Sequence, residues 1–401
     1  MEAKRNMDTN QNDPMHSSLF IQYNNELGRH TITGVKIKRF RARYPRLHGY
    51  NAALGYHGFG GEAVVAQLFT GHGASGWGAL MRRNSAGKPP VDAALAEALT
   101  GKSVADVFAA ESGLTDDTFI AFDIALHDLA GNILGIPVRR MINPDAASTA
   151  RVYDGAIYMN DLIPEDRPFG VQKVIEDSLS DYELGHRAFK IKIGRGHKWM
   201  APEAAGIARD IEVTRKIRDA LPDAVLMVDG NDGFTPESME RYIDGIGGCP
   251  LYWIEEPFRE AEADNRRLRE YLNKHMPGTY IADGESRTDI PLLFDLAGKG
   301  LLDVWQPDIC GYGFTVWRTL IKQLATAGYM ASPHAWGEVI KTHYSAHIAA
   351  AYPLNVHYVE SVLGDSEGID YSGYILKNGV LNLPEKPGFG MDLIWAPEIN
   401  L

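Results

Sequence analysis

Short apolar runs alternate with amphipathic stretches along most of the chain after residue 150. The apolar runs have the length of strands buried on both faces, and the stretches between them repeat apolar residues at helical spacing. The predicted strands are 152–158, 188–193, 225–229, 251–255, 280–285, 304–308, 329–334 and 356–360. Eight strands that alternate with helices predict a parallel (β/α)8 barrel, which we place at residues 151–372.

The earlier part of the chain has a different pattern. Residues 31–47 and 62–70 alternate apolar and polar side chains, which is typical of antiparallel strands. Residues 116–130 place their large apolar side chains on one face of a helix. We therefore predict an α+β capping domain at residues 29–150.

Three segments lack a regular pattern. Residues 1–28 are mostly polar and are expected to form a mobile tail. Residues 47–61 combine glycines with aromatic side chains, which suits either a cover over a ligand or a long hairpin connection. Residues 373–401 are rich in proline and glycine, and we expect them to return to the capping domain.

Composition narrows the possible partners and the compartment. Apolar residues make up 45% of the chain and charged residues 23%, which is ordinary for a globular protein. A net charge of −12 argues against nucleic acid and anionic membranes as partners. The two cysteines, Cys249 and Cys310, suit a reducing cytoplasm, and no run of residues reads as a signal peptide or a membrane span.

Polar, chemically active residues end the predicted barrel strands. From the third strand onward, and spaced 23 to 30 residues apart, they are Asp229, Glu255, Glu285, Asp308, His334 and Glu360. Lys190 and Lys192 alternate on the second strand, so both side chains face the barrel interior. Because the carboxyl ends of barrel strands surround one mouth, we expect these residues to share one site.

The first three acids, Asp229, Glu255 and Glu285, are hard oxygen donors from adjacent strands, and they suit Mg²⁺ with open positions for water and substrate. The alternative is that each carboxylate caps a helix or pairs with an arginine, but three at this spacing favour the metal. The register also leaves Asp283 and Glu256 as neighbouring candidates.

The next two residues, Asp308 and His334, are predicted to lie on neighbouring strands. A carboxylate bonded to one imidazole nitrogen orients the ring and raises its basicity. A lone histidine is more often structural, but this one follows Ser332-Pro333 at a strand end, one unit after an acid. We therefore expect a working Asp–His pair.

Together these segments resemble the enolase superfamily, and most closely its mandelate racemase-like branch. The resemblance covers roughly residues 30–400 and lies mainly in segments 189–194, 227–231, 253–257, 283–286, 306–308, 332–334 and 359–361. It implies a capping domain over a barrel, bound Mg²⁺, a small-molecule carboxylate substrate and a homo-oligomer, either a dimer or an octamer.

The resemblance also implies residue roles. The metal ligands would be Asp229, Glu255 and Glu285. Lys192 becomes the base on one face of the substrate, with Lys190 beside the substrate carboxylate. His334, oriented by Asp308, becomes the acid or base on the opposite face, and Glu360 would hydrogen-bond the substrate carboxylate.

Five further residues are candidates for substrate contact: Tyr50, His57, Tyr158, Asn231 and Trp336. The insert at residues 194–199 departs from the family pattern. We expect it to be a solvated loop that helps to shape the pocket.

The expected chemistry follows from the Lys192/His334 pair. Crowding by Lys190 and the metal is expected to lower the pKa of Lys192, so that it can remove the proton α to a carboxylate. Loss of a β-hydroxyl, protonated by His334, then makes a 2-keto-3-deoxy acid, so we expect an acid-sugar dehydratase. The same pair could instead racemise or epimerise a 2-hydroxy or sugar acid. A non-catalytic binding protein on this fold is the remaining alternative.

Overall fold

Helices and strands alternate along the chain in the computed structural model, which describes residues 14–80 and 93–399. The strands are β1 (Ile32–His48), β2 (Gly58–Thr70), β3 (Ser75–Ala79), β4 (Phe108–Ala109), β5 (Gly113–Leu114), β6 (Thr149–Ile157), β7 (Ala188–Lys192), β8 (Val225–Asp229), β9 (Trp253–Glu255), β10 (Tyr280–Asp283), β11 (Val304–Trp305), β12 (Met330–Ala331), β13 (Val359–Ser361), β14 (Asp365–Ser366), β15 (Ile369–Asp370), β16 (Ile375–Lys377), β17 (Val380–Asn382) and β18 (Asp392–Leu393). The helices are α1 (Pro14–Leu27), α2 (Ala93–Leu99), α3 (Val104–Val107), α4 (Asp123–Leu134), α5 (Val138–Ile142), α6 (Val171–Glu183), α7 (Arg195–Lys198), α8 (Glu203–Ala220), α9 (Pro236–Ile246), α10 (Glu262–His275), α11 (Ile290–Gly298), α12 (Ile309–Tyr312), α13 (Phe314–Ala327) and α14 (Val339–Ala351), with 3₁₀ helices at Asp117–Phe122 and Asn160–Leu162.

The capping domain is built on an antiparallel sheet in the order β14-β1-β2-β3. Helix α4 packs directly on β3, where Gly76 and Gly78 have no side chains to keep the helix away. A Cβ atom at Gly76 would lie 2.2 Å from the backbone nitrogen of Leu129. The predicted α+β capping domain is therefore confirmed.

Helix α1 lies within the segment for which the sequence predicts a mobile tail. Phe20, Tyr23 and Leu27 follow one another at helical spacing and pack against the core, and Leu27 is fully buried. The backbone N–H of Ala110 donates to the Asn24 side chain at 2.9 Å. The tail prediction thus fails for residues 14–27, while residues 1–13 lie outside the described part of the chain.

Strands β6 to β13 form the parallel barrel. They pair in the order β12-β11-β10-β9-β8-β7-β6, and β13 pairs with β6 on the other side. A hydrogen bond from Ala331 N–H to the Asn355 carbonyl, 2.9 Å long, ties β12 to the segment that leads into β13. The predicted (β/α)8 barrel is confirmed.

Several barrel strands are shorter than predicted. Strands β10, β11 and β12 end before Glu285, Asp308 and His334, so these three side chains lie in the loops just beyond the strands. Gly284 has φ +119°, and Pro307 and Pro333 have no N–H to continue a ladder. These three groups therefore stand on short turns above the barrel.

The C-terminal segment contacts both parts of the molecule. The β16–β17 hairpin extends the barrel sheet, since Val380 pairs with Arg151 of β6. Further on, the Trp77 indole donates to the Met391 carbonyl at 3.3 Å, and Ile399 N–H donates to Ile37 of β1 at 2.9 Å. Among the described helices, none has the length and apolar character needed to cross a bilayer.

Candidate active site

The strand-end residues surround the barrel mouth above an apolar floor. Side chains that fill the interior beneath it are Tyr153, Ala188, Met227, Trp253, Ala282 and Val304. Lys192 of β7 lies in register with Asp229 of β8, which lies in register with Glu255 of β9. Parallel register therefore places one ionisable group beside the next around the mouth.

Lys190 is the cation on which the carboxylates converge. Its buried ammonium lies 3.3 Å from Asp229 and 3.0 Å from Glu360, and it donates a short hydrogen bond to Glu255. Burial alone would lower the pKa of Lys190, but Glu255 and Glu360 raise it well above its usual range. Lys190 is therefore a fixed positive charge at the centre of the mouth.

Lys192 lies one step further out. Its ammonium donates to Asp229 and lies 5.4 Å from the centre of the Tyr158 ring. Burial lowers the pKa of Lys192, as does the neighbouring charge of Lys190, but the carboxylates of Asp229, Glu285 and Glu255 together outweigh both, so the net shift is upward. The predicted lowering of the Lys192 pKa depends on a bound metal as well as on Lys190, and it stays a prediction for the metal-loaded site.

Glu255 is fully buried. Its Oε2 accepts hydrogen bonds from the Trp253 indole at 3.0 Å and the Gln306 amide at 2.7 Å. Burial and the nearby charges of Asp229 and Glu285 raise the pKa of Glu255 to about 8, against the opposing effect of Lys190. Mutual repulsion among these acids marks the mouth as a place for a cation.

The Asp308–His334 pair has the expected geometry. His334 Nδ1 lies 2.8 Å from Asp308 Oδ2, and Nε2 lies 3.1 Å from Glu285 and 3.7 Å from Glu360. Burial lowers the pKa of His334, but the surrounding carboxylates, led by Glu285, raise it to about 9. His334 is therefore an imidazolium at neutral pH, with Nε2 turned toward the other acids.

Lys341 of helix α14 is a further member of this group that the sequence did not reveal. Its ammonium lies 2.5 Å from the same Asp308 Oδ2 and 2.7 Å from the Trp336 carbonyl. The other oxygen, Oδ1, accepts the backbone N–H groups of Cys310 and Gly311. A single lysine in an otherwise largely apolar helix was the available signal.

Three carboxylates at the mouth, those of Asp229, Glu255 and Glu285, are hard oxygen donors of the kind that Mg²⁺ prefers. No three His, Cys, Asp or Glu side chains among residues 14–80 and 93–399 are already grouped as a metal site. Asp229 and Glu255 instead share the ammonium of Lys190, and Glu285 pairs with His334. The donor chemistry nevertheless fits a hard divalent cation. Such a cation would compete with the positive charges of Lys190 and His334 for three carboxylates at one mouth.

The alternative ligands have other contacts. Asp283 Oδ1 accepts the N–H of Gly284 at 2.7 Å. Glu256 Oε2 accepts from the Asn231 amide at 3.2 Å, so Asn231 is directed at an acid beside the mouth. The ion pairs of Lys190 and Lys192 are made with Asp229, Glu255 and Glu360 instead.

Aromatic side chains form the wall above Lys192. The ring of Tyr158 lies 4.5 Å from that of His57 and 4.8 Å from that of Trp336, centre to centre. His48, which the sequence did not single out, stacks on Tyr158 at 5.4 Å and lies 5.1 Å from Trp336. Of the predicted substrate contacts, His57, Tyr158 and Trp336 are thus together, whereas Tyr50 donates to Glu165 instead.

The insert at 194–199 is only partly the solvated loop that we expected: His197 and Lys198 are exposed, but Arg195 is not. It contains helix α7, and Arg195 is fully buried between Asp161 and Asp210, each 2.7 Å away. Its guanidinium also donates to the carbonyl of Lys192 at 3.1 Å. Two acids distant in sequence neutralise this arginine, so the insert can pack inward and support the end of β7.

The fold and the site define a class, α/β barrels with a capping domain and ionisable groups at the strand ends. A family model described as "Enolase C-terminal domain-like" matches residues 174–396, more than half of the chain. The chain therefore belongs to this family.

Known relatives extend the comparison. The chain is 26% identical to D-galactarolactone cycloisomerase of Agrobacterium fabrum over 71% of this chain and 73% of that protein. Other relatives are named as acid-sugar dehydratases and as epimerases. These relatives are enzymes that act on small molecules.

Solved structures give the same picture. Galacturonate dehydratase from Geobacillus sp., complexed with D-galacturonate and 5-keto-4-deoxy-D-galacturonate, is 29% identical with a TM-score of 0.82, over 91% of this chain and 94% of that one. A mandelate racemase/muconate lactonizing protein from Geobacillus sp. Y412MC10, complexed with magnesium and tartrate, is 28% identical with a TM-score of 0.83, over 91% and 93%.

Proposed function

We propose that this protein is a Mg²⁺-dependent hydro-lyase that acts on an acid sugar. It would remove the proton α to the substrate carboxylate and eliminate the β-hydroxyl as water, giving a 2-keto-3-deoxy acid. The observation that carries the proposal is that two bases flank one cluster of carboxylates, with Lys192 on Asp229 and His334 beside Glu285. The dehydratases among the relatives support the same reaction class.

The proposed roles follow from the contacts. Asp229, Glu255 and Glu285 would hold Mg²⁺, which when bound would supply positive charge to stabilise the negative charge that develops on the substrate carboxylate. Lys190 would add a fixed positive charge beside the substrate carboxylate, and Glu360 would hydrogen-bond that carboxylate.

The two proton transfers belong to different residues. Lys192 would take the α-proton as a neutral amine, which requires that a metal on Asp229 replace the Lys192 ammonium there. His334, as imidazolium, would give its Nε2 proton to the departing hydroxyl, which leaves as water. Asp308 holds Nδ1, so the other nitrogen faces the substrate. The proton count closes, because one proton arrives on Lys192 and another leaves from His334.

A panel of aldonic, uronic and aldaric acids tests the proposal. Purified protein is incubated with each acid and Mg²⁺, and keto-deoxy product is measured by a carbonyl-specific reagent. Product from at least one acid, lost in Lys192→Met and in His334→Gln, is the expected result. No product from any member of a complete panel contradicts the proposal.

Racemisation or epimerisation is the second candidate, since isomerases also occur among the relatives and the same two bases would serve. Proton NMR in D₂O separates the two reactions. Exchange of the α-proton without elimination favours the isomerase, and elimination favours the dehydratase. A non-catalytic binding protein would show neither, and Lys192→Ala would keep its ligand affinity. The expected homo-oligomer and cytoplasmic location stay predictions.

A further inference from the structure

The loop between β1 and β2, residues 49–57, covers one side of the barrel mouth. We call it the cap loop. Its last residue, His57, donates its backbone N–H to the His48 carbonyl at 3.0 Å, and its Nδ1 lies 2.9 Å from the Gly49 carbonyl. The loop thus closes on itself and presents the His57 ring to Tyr158, 4.5 Å away, beside Lys192.

The outer side of the cap loop rests on the 194–199 insert. The Trp199 indole N–H donates to the Asn51 carbonyl at 2.7 Å, and its ring stacks on Tyr50 at 4.4 Å and 26°. Lys198 donates to the Ala53 carbonyl at 2.5 Å. Tyr50, Asn51 and Ala53 of the loop are therefore held by two adjacent side chains of the insert.

A pair of glycines completes this contact. The fully buried methyl group of Ala52 enters a recess between Gly194 and Gly233. A Cβ atom on Gly194 would lie 2.6 Å from the Ala52 methyl, and one on Gly233 would lie 2.7 Å from it. Only residues without a side chain allow so close an approach, so the barrel surface is shaped for this loop.

We propose that Trp199 is a positioning residue that fastens the cap loop to the barrel and thereby holds His57 beside Tyr158 and Lys192. The inference goes beyond the proposed function, because loop order is measurable whether or not any acid sugar is turned over. Only its kinetic consequence rests on that function. The inference also assigns a role to the insert. Arg195 holds the insert to Asp161 and Asp210 of the barrel, and Trp199 holds the cap loop.

Hydrogen–deuterium exchange of peptides spanning residues 49–57 is the direct test. Trp199→Phe keeps an aromatic ring on Tyr50 but removes the indole N–H, and Trp199→Ala removes both. The matched control is Trp395→Phe, whose indole is in the C-terminal segment and 58% exposed. We expect exchange in the loop to rise about tenfold in Trp199→Phe, the factor that one net hydrogen bond supports, and further in Trp199→Ala.

Other outcomes decide against the inference. Unchanged exchange in Trp199→Phe overturns it, as does a rise of equal size in peptides of helix α8, which would mean general destabilisation. If Trp199→Ala does not fold, Trp199→Phe alone decides. The Trp395→Phe control should match wild type throughout.

The kinetic test follows once a substrate is known. Trp199→Phe should raise KM severalfold while kcat changes less than twofold, because the loop contributes binding contacts and not the bases. His57→Ala should raise KM to a similar degree, and the double variant should add little. Faster exchange of the cap loop with unchanged KM would show that Trp199 does not position His57. That outcome would overturn the part of the inference that concerns His57.

Discussion

Replacing Lys341 by methionine tests how far the Asp308–His334 pair depends on a residue that its sequence motif does not include. Methionine keeps most of the side-chain volume and removes the charge. In the native protein the ammonium makes a buried contact with Asp308 and a hydrogen bond with the Trp336 carbonyl. The substitution therefore leaves one carboxylate and one carbonyl without this donor.

The size of the effect can be worked from those contacts. Breaking a fully buried ion pair costs about 3–5 kcal/mol, but Asp308 keeps His334 and two backbone donors, so about half of that applies. Loss of the hydrogen bond to Trp336 adds about 1 kcal/mol. We expect Lys341→Met to lower the free energy of unfolding by about 3 kcal/mol in total.

Urea unfolding followed by circular dichroism measures this difference. Lys299→Met is the matched control, because Lys299 also contacts two carboxylates, Glu262 and Asp295, but on the surface; its midpoint should not move. A cycle with Asp308→Asn should give a coupling of about 2 kcal/mol between the two sites. Additive effects in that cycle, or a midpoint as unchanged as the control, would refute the reasoning.

Three further predictions address the base, the charge state and the packing of the capping domain. Lys192→Met should reduce turnover of any active acid sugar by at least about 10²-fold, measured by steady-state kinetics on protein that thermal unfolding shows to be folded. The stability that His334 contributes is complete below its unfolded-state pKa of about 6.5 and is lost as pH rises through its folded-state pKa of about 9. In urea unfolding at stepped pH, Mg²⁺-free wild type should therefore lose stability relative to His334→Gln over that range. Parallel pH dependence of the two proteins would contradict this. Gly76→Ala should destabilise the protein by about 1–3 kcal/mol, because its methyl would meet the backbone of Leu129, whereas Gly73→Ala tests only the cost of a positive φ at an open position.

The barrel was predictable because its information is local. Each strand is a short apolar run and each crossover is a helix of ordinary length. The regular alternation of strand and helix then sets the topology. The same alternation places Asp229, Glu255 and Glu285 at the ends of successive strands, so the candidate cluster was predicted from spacing. The end of each strand was less well predicted, because Pro307 and Pro333 release the chain from the ladder a few residues early.

Contacts between distant parts of the chain were decided only by the tertiary structure. Arg195 in the insert reads as a solvated residue until Asp161 and Asp210 meet it, and helix α1 reads as a tail until its apolar side finds the core. Local pattern tells which element a side chain belongs to, but not which charge or ring will lie opposite it. The sequence by itself determined the barrel and the kinds of groups at its mouth. The partners of Lys341 and Trp199 were decided only when the capping domain and the helices packed on the barrel, because a side chain is buried beside a specific partner only in the folded protein.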